Sequence, residues 1–357
     1  MSLPAGTPAP FFFAGSPANP RFALSSLGGQ YIVLAFLPAP GPQRQAALQA
    51  VADRRALFAD ESVLFFGVLP DAESCAQARN NLPFRWFFDP EGEIARLYEA
   101  RTPAGDHLPQ WVVLDPTLRV IGCAPIDAGA EVLNNVAAMG SPGDYAGVPV
   151  QAPVLIVPRV LEPGLCRQLI ALYQTTGGAA SGVMRQRDGK TVGVLDDFKR
   201  RRDANIDDPD LRQQLRARLV RRLVPEIKKA FQFTVTRIER YIVACYDASD
   251  GGYFRAHRDN TTSATAHRRF AVSINLNAEE FEGGDLRFPE FGRRTYRPPT
   301  GGAVVFSCSL LHEATPVTKG TRYATLPFLF DEAADALREE HAHTLVAGLA
   351  EPETATF

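Results

Sequence analysis

The sequence predicts two domains of different class, an α/β layer domain followed by an antiparallel β-barrel or jelly-roll domain with supporting helices. The chain has 357 residues, whereas a single domain usually has about 100–200, so we expect two domains. Before residue 140, short apolar runs alternate with helical patterns, which favours an α/β fold. After residue 153, helical patterns come first and many short strand-like runs follow, which is typical of a barrel or jelly roll.

In the first domain, short continuous apolar runs predict buried strands, and segments with helical spacing predict the connecting helices. The predicted strands are Tyr31–Leu37, Val63–Leu69, Phe84–Phe88, Trp111–Leu114 and Val120–Gly122, and the predicted helices lie around Gln43–Phe58, after Asp71, from Glu91 and near Ala128–Met139.

A domain boundary is predicted where Gly, Pro and Ser are concentrated, in the segment GSPGDYAGVPVQAP that follows Met139. In the second domain, helical patterns around Pro163–Tyr173 and Asp210–Phe231 precede strand-like runs from Thr236 to Phe330. The predicted organisation is a first domain at residues 1–140, a linker at 141–152, a second domain at 153–335 and a C-terminal tail at 336–357.

Composition argues against several classes of protein. The 38 Lys and Arg residues against 40 Asp and Glu give a formal charge of -2, which disfavours generic nucleic-acid binding. The longest apolar runs are far shorter than the ~20 residues of a membrane span, and the N-terminus lacks the features of a secretory signal. The five cysteines are widely spaced without a CxxC pair, so we expect a reducing, cytoplasmic location.

One group of residues in the second domain suggests a metal site. His257 and Asp259 form a His-x-Asp triplet, and in a strand residues i and i+2 project from the same face. The triplet alone is a weak signal, because it arises easily by chance in a sequence and would then lie in a solvated turn. With His312, in an apolar stretch downstream, it would form the two-His, one-carboxylate triad of non-haem Fe(II) oxygenases. Arg322 suits a carboxylate co-substrate and Tyr246 could add a hydrogen bond, although position alone favours a surface arginine and a core tyrosine.

From about Val154 to Phe330 the chain resembles prolyl 4-hydroxylase-type 2-oxoglutarate/Fe(II) dioxygenases. The segments that carry the resemblance are PVLIVPRVLEPGLCRQLI, RYIVACYDASDGGYFRAHRDN, LNAEEFEGGDLRFPEFG and HEATPVTKGTRYATL. The resemblance implies a double-stranded β-helix (jelly-roll) in which His257, Asp259 and His312 bind Fe(II). It also implies that Arg322 holds the distal carboxylate of 2-oxoglutarate with help from Tyr246, that O2 is consumed, and that ascorbate is a candidate accessory reductant.

Residues 5–139 resemble a peroxiredoxin of the thioredoxin-like fold that lacks its nucleophile. Peroxiredoxins carry Pro-x-x-x-Thr/Ser-x-x-Cys after the first long strand, but the corresponding segment here, Pro38–Gln45, contains no cysteine. Registering the motif on Pro38 places Gln45 at the nucleophile position, whereas registering it on Pro40 places Ala47 there. We therefore interpret this domain as a non-catalytic scaffold or docking domain, through which homo-oligomers are also conceivable.

Together these features predict a 2-oxoglutarate-dependent dioxygenase that hydroxylates a protein side chain or a small molecule and releases succinate and CO2. The alternative is a non-catalytic interaction protein in which both domains dock partners. The substrate is not identified by the sequence, and residues 184–203 are a candidate lid over the iron site.

The other histidines are assigned plainer roles. His267, His341 and His343 are predicted to be solvated, and His107 has no ligand companions.

Overall fold

The computed structural model describes residues 2–79, 81, 83–346 and 354–356. The chain divides into two compact units, the first formed by Met1–Ala152 with Pro289–Arg293 and the second by Pro153–Phe288 with Arg294–Phe357. Within the described ranges, no helix has both the length and the apolar character required to cross a membrane.

The first unit is an α/β layer structure. Its strands are β1 (Phe13–Ala14), β2 (Phe22–Ala23), β3 (Tyr31–Phe36), β4 (Val63–Leu69), β5 (Arg85–Phe88), β6 (Gln110–Leu114) and β7 (Val120–Pro125). Its helices are α1 (Pro42–Ala52), α2 (Ala72–Gln77), α3 (Glu93–Leu97) and α4 (Gly129–Ala137). The main sheet has the order β5-β4-β3-β6-β7. Strands β3, β4 and β5 are parallel, whereas the β3–β6 and β6–β7 pairings are antiparallel.

The central strand β3 explains why the sequence there is continuously apolar. Ile32, Leu34 and Phe36 belong to the core on one face of the sheet. Tyr31, Val33 and Ala35 belong to the core on the other face, which α1 and α4 cover. Because successive side chains of a strand point to opposite faces, a strand buried on both faces needs an apolar residue at every position.

The segment in which a peroxiredoxin carries its nucleophile is held here by an arginine. Arg44 donates hydrogen bonds to the carbonyl oxygen of Pro38 at 2.7 Å and to Ser74 Oγ at 2.6 Å, and it forms an ion pair with Asp71 at 3.1 Å. Gln45 is exposed on the first turn of α1, whereas Ala47 is buried in the core. Neither candidate position for the nucleophile carries a thiol.

The second unit contains helices and many short strands. Its helices are α5 (Pro163–Thr176), α6 (Pro209–Arg218), α7 (Val224–Phe231) and α8 (Glu332–His341). Its strands are β8 (Leu155–Val157), β9 (Ala179–Ala180), β10 (Val183–Arg187), β11 (Lys190–Val194), β12 (Lys199–Arg200), β13 (Arg202–Asn205), β14 (Arg237–Glu239), β15 (Ile242–Asp247), β16 (Tyr253–His257), β17 (Phe270–Asn275), β18 (Phe281–Gly283), β19 (Leu286–Arg287), β20 (Thr295–Tyr296), β21 (Ala303–Ser307), β22 (His312–Ala314), β23 (Val317–Thr325), β24 (Phe328–Phe330) and β25 (Thr354–Thr356).

The single helix predicted at Asp210–Phe231 is interrupted by a π-helical turn at Leu219–Leu223. Pro225 follows this turn, and proline lacks the backbone N–H that a regular helix would donate to residue i-4. The apolar face continues through the interruption, since the buried residues remain four apart. These residues are Leu211, Leu215, Leu219, Leu223 and Ile227.

Two sheets of the second unit supply the cavity described below. One has the order β12-β16-β22-β19-β20, and the main path of the other is β25-β14-β24-β17-β23-β15-β13-β9. The pairings within both sheets are antiparallel, as the sequence predicts for this domain.

We expect the full-length protein to show no thiol-dependent reduction of hydrogen peroxide. Burial raises the pKa of all five thiols, at Cys75, Cys123, Cys166, Cys245 and Cys308, so the nucleophilic thiolate is disfavoured at each. The measurement is peroxide consumption with dithiothreitol, and free cysteine at the same thiol concentration is the control. Turnover well above this control would contradict the interpretation of the first unit as non-catalytic.

Candidate metal centre

The backbone places the two histidines of the candidate site on neighbouring strands. His257 ends β16 and His312 begins β22, and their Cα atoms are directly paired across the two antiparallel strands. Asp259 lies just beyond the end of β16 rather than within it, and its backbone N–H donates to the carbonyl oxygen of Cys308 at 3.0 Å. Strand pairing therefore determines the positions of the two histidines, and a backbone hydrogen bond holds the segment that carries the carboxylate.

The three side chains converge on one point. Asp259 Oδ1 lies 3.4 Å from His257 Nε2, and Asp259 Oδ2 lies 3.3 Å from His312 Nε2. One ligand atom from each of the three residues lies within 4.8 Å of the other two. This spacing allows both imidazoles and the carboxylate to bind one ion.

The second ring nitrogen of each histidine contacts a backbone oxygen, which defines the orientation of the ring. His257 Nδ1 lies 2.7 Å from the carbonyl oxygen of Arg255, and His312 Nδ1 lies 3.0 Å from that of Leu310. A carbonyl only accepts hydrogen bonds, so Nδ1 carries the proton in each ring and Nε2 keeps its lone pair for a metal.

The electrostatic environment favours the protonation states that a metal requires. Burial, reinforced by His312, lowers the pKa of His257 to about 4, so this imidazole is neutral at pH 7. Burial opposes ionisation of Asp259, but the two adjacent histidines overcome it and hold the pKa of the carboxyl well below its usual range. A neutral His257 imidazole and an ionised Asp259 carboxylate are ready to bind a cation.

Aromatic rings pack against both imidazoles. The Phe254 ring stacks on His257 with centroids 3.5 Å apart, and the Phe306 centroid lies 4.6 Å from that of His312. Two His and one carboxylate leave coordination positions open and are the donor set of non-haem Fe(II) sites. The residues present therefore fit Fe(II).

Arg322 lies in the same cavity, and neutral groups hold its guanidinium. It is 2 % exposed, its Nε donates to Asn275 Oδ1 at 3.2 Å, and its Nη2 donates to Ser273 Oγ at 2.8 Å. Nη1 donates to no residue that the structure describes. A buried guanidinium with neutral partners and a free edge is suited to bind a carboxylate.

Tyr246 lies beside Arg322, since the two residues are directly paired between β15 and β23. The Arg322 Cζ atom is 5.1 Å from the centroid of the buried Tyr246 ring, within cation–π range. The Tyr246 hydroxyl accepts a hydrogen bond from Arg201 Nη1 at 3.4 Å. Tyr246 therefore packs against one cavity arginine and contacts a second.

One cavity brings together all five residues that the sequence singles out, namely His257, Asp259, His312, Arg322 and Tyr246. Sequence analysis missed Ser273, Arg201 and Arg240, which also line this cavity. The sequence could have indicated Ser273 and Asn275, because polar residues alternate with apolar ones at the end of the FAVSIN strand. Arg201 lies in the stretch 184–203 considered a candidate lid, whereas Arg240 had no comparable signal among 38 basic residues.

The prediction that His267 is solvated is wrong. This histidine is 2 % exposed, and its Nε2 lies 2.5 Å from Glu239 Oε2 in the interior. The polar sequence around His267, AHRRF, suggests exposure, but Glu239 lies on a distant strand and its buried carboxylate pairs with both His267 and Arg268. His341 is partly buried with Nδ1 3.0 Å from the carbonyl oxygen of Ser263, whereas His343 is exposed, as expected. Within the described residues, His257, Asp259 and His312 form the one group of three potential metal ligands, and His107 is not part of it.

We expect the full-length protein to bind one Fe(II) per chain under anaerobic conditions. His257→Ala or His312→Ala should abolish this binding, because each leaves a single imidazole to hold the ion. Asp259→Ala should leave weak residual binding, since two imidazoles remain but no charge offsets the dication. Equilibrium dialysis with iron analysis measures the stoichiometry, and His343→Ala, at an exposed histidine, is the matched control. Unchanged binding in both histidine variants would contradict the assignment.

Comparison with known proteins gives separate matches for the two parts of the chain. Residues 241–330 match the family model of the 2OG-Fe(II) oxygenase superfamily, and residues 5–122 match that of the AhpC/TSA family. A PKHD-type hydroxylase of Synechococcus sp. is 28% identical over 98 residues, which are 26% of this chain and 43% of the relative. The chain thus spans less than half the length of this curated relative.

Solved structures similar to each part are also known. A prolyl hydroxylase of Trichoplax adhaerens, in complex with a peptide of hypoxia inducible factor, has 21% identity and a TM-score of 0.38, covering 52% of this chain and 87% of that one. A reduced 2-Cys peroxiredoxin of Plasmodium vivax has 19% identity and a TM-score of 0.33, covering 38% of this chain and 80% of that one.

The oxygenase match contains His257, Asp259, His312, Arg322 and Tyr246. Residues 5–122 are therefore similar to the AhpC/TSA family and residues 241–330 to the 2OG-Fe(II) oxygenase superfamily, and the second match contains the candidate metal centre.

Proposed function

We propose that this protein is a 2-oxoglutarate- and Fe(II)-dependent dioxygenase that hydroxylates a C–H bond of a protein side chain or a small molecule. In the overall reaction one oxygen atom of O2 enters the new hydroxyl group and the other enters succinate, while 2-oxoglutarate loses CO2. The observation that carries the proposal is the presence of a three-residue metal site and the buried Arg322 in one cavity.

Different residues of the cavity would bind the metal and the co-substrate. His257, Asp259 and His312 would hold Fe(II), which supplies the O2 chemistry when bound. Arg322 would pair with the distal carboxylate of 2-oxoglutarate through its free guanidinium edge, while Ser273 and Asn275 keep the guanidinium in place. The remaining lining includes apolar side chains that exclude water from the reacting atoms. These residues are Phe254, Val272, Leu286, Phe306, Leu326 and Phe328.

The proposal includes a double-stranded β-helix around the site. In support, β16, β19 and β22 of one sheet and β15, β17, β23 and β24 of the other contribute residues to the same cavity. It also includes a cytoplasmic location, consistent with the five free cysteines that the structure describes.

We expect Arg322→Gln to raise the 2-oxoglutarate concentration needed for half-maximal turnover by at least about tenfold. A charge-assisted pair contributes roughly 1.5–3 kcal/mol, and each 1.4 kcal/mol corresponds to about a factor of ten in affinity. Arg322→Lys should rescue part of the loss, because lysine keeps the charge without the planar fork. Succinate release as a function of 2-oxoglutarate concentration measures the effect.

The controls separate co-substrate binding from loss of structure. Fe(II) binding should be unchanged in both variants, and the exposed Arg221→Gln should behave as wild type. Equal 2-oxoglutarate dependence in wild type and Arg322→Gln would contradict the role of Arg322. No 2-oxoglutarate binding by the iron-loaded wild type would favour a non-catalytic docking protein instead.

A further inference from the structure

The cavity holds more positive charge than the proposed co-substrate needs. Three arginines line it, Arg201, Arg240 and Arg322, whereas Asp259 is the carboxylate in its lining. With Fe(II) and 2-oxoglutarate bound, the charges of the metal, Asp259, Arg322 and the two co-substrate carboxylates cancel. The positive charges of Arg201 and Arg240 are not part of this sum.

The charge of Arg201 is already compensated by a neighbour. Arg201 Nη2 lies 2.6 Å from Asp203 Oδ2, and both side chains are largely buried. The segment that carries them, at β12 and β13, ends the stretch considered a candidate lid. Arg201 therefore needs no anion from outside the protein.

Arg240 has no such partner. Its Nε donates to the carbonyl oxygen of Leu326 at 3.2 Å, and its guanidinium lies 4.6 Å from the centroid of the Phe328 ring. Its terminal nitrogens hydrogen-bond to no residue in the described part of the chain, and it forms no ion pair there. The adjacent Glu239 is unavailable, because it pairs with Arg268 and His267.

The backbone at Arg240 is also unusual. Arg240 lies in the short link between β14 and β15 with φ of 76°, a left-handed conformation that favours glycine or asparagine. Burial, reinforced by the neighbouring Arg201, lowers the pKa of Arg240 to about 10. Asp203 and Asp259 act on Arg240 only from a longer distance than an ion pair. Within the described residues the protein thus keeps a cation without an ion-pair partner at a left-handed position in the wall of the cavity.

We infer that Arg240 is a specificity-determining residue that binds a carboxylate of the primary substrate. This inference rests on the proposed function and narrows its substrate class to carboxylate-bearing molecules. Both terminal nitrogens of Arg240 are available, so its planar fork can bind a carboxylate through two hydrogen bonds. Two sources share this chemistry, a free α-carboxylate of a small molecule and an Asp or Glu side chain in a peptide.

The test measures binding to the full-length Fe(II)-loaded protein by calorimetry under argon, with 2-oxoglutarate held at saturation. One arm uses N-acetyl amino acids as free acids against their primary amides. The other arm uses capped tripeptides with a central Asp or Glu against the same peptides with Asn or Gln. We expect wild type to bind at least one acid about tenfold more tightly than its neutral partner, as a charge-assisted pair predicts.

The variants assign the preference to Arg240. Arg240→Gln should lose the preference for the acid over its neutral partner, whereas Arg240→Lys should keep part of this preference. The exposed Arg221→Gln should keep all of the preference. The affinity for 2-oxoglutarate should be unchanged in all three variants. The preference should not fall when 2-oxoglutarate is doubled, since a fall would place the acid at the co-substrate site and overturn the inference. Absence of any acid preference in wild type, or its persistence in Arg240→Gln, would also overturn it. Failure of wild type to bind 2-oxoglutarate would instead overturn the proposed function.

Discussion

The antiparallel pairing of β16 with β22 is the constraint on which the candidate site depends. It places His257 directly opposite His312, although 54 residues separate them in the chain, and it leaves the third ligand to the segment that follows β16. The backbone carbonyls of Arg255 and Leu310 then set both rings with Nε2 facing Asp259. A shift of one residue in this register would turn one imidazole to the opposite face of the sheet and abolish the cluster.

Buried charge is distributed unevenly around this cluster. Glu239 is satisfied by His267 and Arg268, and Arg201 by Asp203, so these groups form closed internal pairs. Arg322 instead has neutral partners, and Arg240 has a backbone carbonyl and an aromatic ring. Desolvating a cation without a counter-ion is costly, so such groups in a cavity wall are better explained by binding than by folding.

The first unit has an α/β layer fold, but the segment Pro38–Gln45 contains no cysteine. Its two apolar cores are built from buried side chains such as those of β3. At the position where a thiol would act, Arg44 ties Pro38 to Asp71 and Ser74 through internal contacts. Packing and reactivity are thus independent properties of this unit.

The sequence alone determined the class of both units and indicated His257, Asp259 and His312 as candidate ligands, because apolar periodicity and motif spacing are local properties of the chain. The resemblance to a known family added Arg322 and Tyr246 to these candidates. The sequence did not determine that Pro225 would be preceded by a π-helical turn, or that His267 would be buried with a carboxylate. Arg201 and Arg240 likewise became recognisable only in the folded chain. Whether a basic side chain faces solvent, a counter-ion or a cavity depends on which distant strands pack against it, and tertiary structure alone decides this.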